Sequence, residues 1–157
     1  MGRGHLALPA SLVVAFALAA AEPAAAALHW REIGRGPAVS APAGAPAAVV
    51  VASAARARSL DRDLPAPGRS TLAVVDWKTT VVVVILAHFG CTDERVAVTG
   101  ITRRGDILAV ALVKRPLPPD TVECQAIFPT YRLLAVSRAG LSAPLPSRVA
   151  VVANARA

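Results

Sequence analysis

The run Thr80-Val81-Val82-Val83-Val84-Ile85-Leu86 limits what this chain can become more than any other stretch. Val, Ile and Thr carry two heavy atoms on Cβ, which crowds a helical turn and suits a pleated strand. From Val81 to Leu86 neither phase of the alternation is polar, so the run predicts a strand buried on both faces. The rest of the chain must then supply apolar cover from two sides.

Several neighbouring stretches meet that demand. ERVAVTGITRRG alternates, with Val96 and Val98 on one face, until Gly100 shifts the phase and predicts a bulge before Ile101. Arg104-Gly105-Asp106 reads as a hairpin turn, and DILAVALVKR returns with Leu108, Val110 and Leu112 on one face. RPLPPD is a proline-bound connection that no central strand tolerates. VECQAIF and YRLLAVSR read as two more strands. Ala48-Val49-Val50-Val51-Ala52 is a short strand, and SAARARSLDRDL predicts one short helix capped by Ser53 and stopped before Pro65. PAPGRS reads as loop, and the stretch from Leu72 onward as β throughout. This predicts a mainly β fold: an antiparallel β-sandwich or rolled sheet with one short helix near its N-terminal part.

The 157 residues suffice for one domain. Residues 1–26 have the layout of a secretory signal peptide: Arg3 and His5, an uncharged Leu6–Ala21 stretch, then Ala24-Ala25-Ala26 as a cleavage site. The apolar stretch holds Pro9 and is short beside the roughly 20 residues of a bilayer span, so cleavage is expected rather than a stable membrane anchor. Residues 27–47 read as an extended, loop-forming lead-in in which LHWREI suits a first strand. Residues 48–138 form the β-rich domain, and 139–157 a Pro/Ala-rich tail in which RVAVVA suits an edge strand. The expected location is secreted or in the cell envelope, outside the cytoplasmic membrane.

Cleavage removes one charge of each sign, Arg3 and Glu22, so the net charge stays at +7. Arg supplies fifteen of the seventeen basic residues and is spread along the chain, without the basic clusters and interleaved aromatics of a nucleic-acid module. No nucleic-acid partner is expected. A polyanion or membrane-surface binder is a weaker reading of the same charge.

AHFGCTDE, residues 87–94, gathers His88, Cys91, Asp93 and Glu94 behind the buried run. The two cysteines, Cys91 and Cys124, are an even count in a chain read as exported, which predicts a disulfide. The chain-entropy picture assigns such a link about 3–4 kcal/mol. A zinc site is disfavoured, because His88 and Cys91 form a single pair where structural sites use two tight pairs. A small hydrolase using Cys91 and His88, or a carboxylate pair, is the enzymatic alternative; it lacks an orienting third group, and an exported free thiol oxidises. Asp76-Trp77 reads as a strand start beside a core Trp rather than a ligand platform. No phosphate loop, dinucleotide fingerprint or calcium loop occurs, so no catalytic residue, metal or cofactor is expected.

The order of features from Ile33 to Arg138 resembles the secreted proteins that carry a PrcB C-terminal-like domain. Ile33-Gly34-Arg35-Gly36 with Ser40 is similar to that family's opening I-G-x-G…S. VVVAS and SLDRDL are similar to its next strand and helix. Val75-Asp76-Trp77 with VVVVIL resembles its V-D-F…V-V pair, and ITRRGDILAVAL its central hairpin. Pro118-Pro119-Asp120, Cys124-Gln125-Ala126 and Phe128-Pro129-Thr130-Tyr131 with LLAV resemble its closing segment. The resemblance implies a secreted, non-enzymatic β domain that binds protein, such as an envelope or extracellular protease. The chain departs from the pattern at FGCTDERV, where many relatives carry a T-G-G-Y-like turn; only Gly90 remains. Thr130 also splits the Pro-Tyr step. Thr92, Asp93 and Glu94 are therefore the candidate partner-contact turn.

Overall fold

The computed structural model describes residues 26–89, 95–116, 119 and 126–154. Two four-stranded sheets stack face to face. One contains β1 (Ala26–Ala27), β5 (Val96–Arg104), β6 (Ile107–Lys114) and β8 (Arg148–Asn154), in the order β1-β5-β6-β8. The other contains β2 (Trp30–Pro37), β3 (Ala47–Val51), β4 (Thr80–Ala87) and β7 (Thr130–Ser137), in the order β2-β7-β4-β3. The fold is mainly β and mostly antiparallel, compatible with a sandwich, as the residue pattern implies.

The run Val81–Ala87 is buried throughout. Its odd-numbered residues Val81, Val83, Ile85 and Ala87 face the β1-β5-β6-β8 sheet, where they pack with Ile101, Leu108, Val110 and Leu112. The even-numbered Val82, Val84 and Leu86 face the opposite way, onto Leu60, Leu64 and Leu72 of the helical segment. One strand thus serves two cores, each fully buried Val or Leu contributing roughly 1.5–3 kcal/mol.

The β5–β6 hairpin turns at Gly105, whose φ of +59° is left-handed backbone. The register slips between Val98 and Gly100, where the change of phase predicts a bulge. Ser53 caps α1 (Ala54–Arg58), its hydroxyl accepting from the Arg56 N–H at 3.2 Å.

Four features differ from the reading of the residues. A second helix, α2 (Ala66–Ala73), occupies PAPGRSTLA, where loop and then strand are expected. Its prolines fall at the helix start, where a missing N–H costs nothing. Second, the strand expected at LHWREI forms as β2 but runs on to Pro37, into the stretch read as loop, and is hydrogen-bonded to β7 along its length. The chain changes sheets at Leu28-His29, with Leu28 N–H donating to Ile101 on one sheet and His29 C=O accepting from Ser137 on the other. Third, the edge strand expected at RVAVVA forms as β8, but the residues leading to it are not a free tail. Leu141 is in the inter-sheet core, and β8 joins β6 in parallel. The chain passes from β6 through β7 in the other sheet before returning by 138–147, and that crossover makes the parallel pair possible, which hairpin logic does not anticipate. Fourth, Ala126, Ile127 and Phe128 at the end of VECQAIF lie outside any strand, and the start of that stretch is outside the described residues.

Candidate interaction surface

The segment that raises most chemical suspicion, Cys91 with Thr92, Asp93 and Glu94, lies outside the described residues, and so does Cys124. His88 is half-buried, with Nδ1 3.0 Å from the Pro42 carbonyl, a contact that ties the end of β4 to the loop before β3. Asp76 organises a turn: one carboxylate oxygen accepts from the Lys78 N–H at 3.0 Å and the other from the Thr79 hydroxyl at 3.0 Å. Trp77 beside it is half-buried against the helix-side core. Among the described residues no three of His, Cys, Asp and Glu come together as metal ligands. An open groove of about 480 Å³ gathers His29, Arg31, Thr79 and Asp76. The Asp76 oxygens there are already engaged, and His29 makes no hydrogen bond to a hydroxyl or carboxylate among the described residues.

Arg132 is a buried charge that no pattern in YRLLAVSR announces. It is 2% exposed and donates to Glu32 at 3.1 Å. Strand alternation puts it on the face of Leu134 and Val136, toward the inter-sheet core. The β2 bulge between Glu32 and Gly34 lets Glu32 also meet Arg35 at 3.5 Å. This cluster holds the β2 edge onto β7.

The two sheets differ most in what covers their outer faces. Helices cover the β2-β7-β4-β3 sheet. The outer face of the other sheet follows from its registers, because Leu108, Val110 and Leu112 point inward and their neighbours must point out. Next to the hairpin, Arg104, Ile107 and Arg148 form one row across the strands. The next row is Ala27, Thr102, Ala109 and Ala150. Then come Gly100, Ala111 and Val152, followed by Ala97 and Val113, with Asn154 at the β8 position of that last row.

The other outward residues are all at least partly exposed, Val152 to 47%. A Cβ built on Gly100 would meet nothing within 4 Å. Below the arginine row no charged side chain appears in those three rows, and exposed Thr99 turns its hydroxyl back to the Ala111 carbonyl at 3.4 Å. A solvated antiparallel face normally alternates to polar side chains; this one is dominated by Ala, Gly and Val, with Thr102 a polar member beside Ala27 and Ala109.

Its hairpin border is charged. Arg148 grips Asp106 with two bonds of 2.9 Å, and that hydrogen bonding holds the Asp106 carboxyl below the usual carboxylate range. Arg104 is exposed, and its side chain makes no hydrogen bond or ion pair among the described residues. This face was half legible: ILAVALVK is apolar on both phases, which signals a second apolar side. What the chain alone does not tell is that β8 extends that side with Ala150 and Val152.

Comparison with protein-family models, with curated proteins and with solved structures gave no match.

Proposed function

We propose that this chain is a secreted, non-enzymatic β-sandwich module that binds another protein, such as a protease, in the envelope or outside the cell. The observation that carries the reading is the outer face of the β1-β5-β6-β8 sheet. It is apolar and partly exposed, with open space above Gly100. Exposed contiguous apolar surface of this kind marks interaction sites in folded proteins. The signal-like start of the chain supports export, and the PrcB-like order of elements supports a protease-associated role.

The test is affinity recovery from envelope and extracellular fractions with the wild-type chain and with Ala111→Glu. That variant puts a charge in the middle of the face, away from the core. The expected result is a defined protein partner held by wild type and lost by Ala111→Glu while the circular dichroism spectrum is unchanged. Failure to recover a partner under several conditions, or equal recovery by the variant, would overturn the proposal.

A further inference from the structure

We infer that the bare face receives one amphipathic helix of the partner protein, with a carboxylate of that helix meeting Arg104; this rests on the protein-binding reading above. The first argument is size. The nine positions in the three rows, each about 4.8 Å across the strands and about 7 Å along them, make a patch of about 300 Å². A stable protein–protein contact buries about 800 Å² on each partner, so the patch is well under half of what a face-to-face pair of globular domains or of two copies needs. It does fit one helix about 10–12 Å wide and roughly 20 Å, or about 14 residues, long.

The second argument is relief. Ala109, Ala111, Ala150 and Gly100 leave the middle of the sheet low, with open space above Gly100. A helix axis can then approach closely, as helices already do on the opposite sheet through Leu60, Leu64 and Leu72. A lipid surface is a poorer occupant, because interfacial binding uses Trp, Phe and Leu, and none of these is on the face.

The third argument is charge. At the hairpin border Arg148 is neutralised by Asp106, which leaves the positive charge of Arg104 to be matched. A second copy would bring another Arg104, whereas an acidic helix supplies the complement.

The test places the photoreactive residue p-benzoylphenylalanine at Ala150 of the full chain, and in a control at Ala55, which is exposed on α1. Each is irradiated in the envelope fraction, and the adducts are sequenced. The expected result is a protein adduct from position 150 and not from 55. Its linked peptide should show apolar residues at i, i+3, i+4 and i+7, with Asp or Glu at one end. Made as a synthetic peptide, that segment should bind the wild-type chain, and Arg104→Glu or Gly100→Phe should weaken it about tenfold or more.

A protein adduct whose peptide lacks this pattern, or whose binding ignores Arg104→Glu, overturns the helix inference and leaves the protein-binding reading standing. Adducts only to lipid or to a second copy overturn the inference as well. Absence of any partner, by cross-linking and by affinity recovery, overturns the reading beneath it.

Discussion

Two glycines make the most direct test of this packing, because the same substitution should act with opposite sign at each. Gly68 lies buried inside α2, against the ring of Tyr131. A Cβ there would sit 3.2 Å from two ring carbons and 3.5 Å from the Leu64 Cβ. The ring cannot swing away freely: Tyr131 is 4% exposed, and Gly36 backs its other edge. Helix propensity favours Ala over Gly by about 0.8–1 kcal/mol. Overpacking a filled site costs about 1–3 kcal/mol. The packing term wins, and Gly68→Ala should lose about 1 kcal/mol.

Gly100 has no atom within 4 Å of its would-be Cβ and no left-handed φ. Gly100→Ala should therefore gain about 0.4–1 kcal/mol, by restricting the unfolded chain. Since 1 kcal/mol moves Tm by about 2–4 °C in a chain of this size, the two variants should differ by several degrees. Thermal unfolding followed by circular dichroism, with urea midpoints as a second measure, reads the difference. A Gly68→Ala protein more stable than wild type would refute the account of the Tyr131 slot.

Two further outcomes follow from particular side chains. Tyr131 is the single tyrosine, so absorbance at 295 nm reports its ionisation alone. Burial raises its pKa above 10.0; its contribution to stability is complete below pH 10 and is lost as pH rises through the folded-state value, so an alkaline titration should show delayed ionisation and falling Tm, and ionisation at the free-tyrosine position would refute the burial. Cys91 and Cys124 should give no reactive thiol in the unfolded, unreduced chain and two after reduction; a free thiol before reduction would refute the disulfide.

How far the residues alone reach can be seen element by element. Val81–Ala87 declared its own role, because a β-branched run without a polar phase has only a doubly covered strand open to it. The Gly100 bulge, the Gly105 turn and the Ser53 cap were equally plain, since each depends on backbone geometry within a few residues. α2 was hidden, because its Pro and Gly are loop signals until the helix start and the Tyr131 ring explain them. Arg132 was hidden too: Glu32, its partner, is a hundred positions away along the chain.

What the amino-acid sequence determined by itself was local: the doubly buried central strand, the β5–β6 hairpin with its bulge and turn, and the Ser53 cap. Only the tertiary structure decided which sheet each strand joins, that β8 lies parallel to β6, and that helices cover one sheet while the other keeps a bare apolar face. The physical reason is the range of the forces involved. Periodicity and backbone preference act over a few residues. Which apolar face meets which is settled when the whole chain buries as much as it can, and the face left over is visible only once that packing is complete.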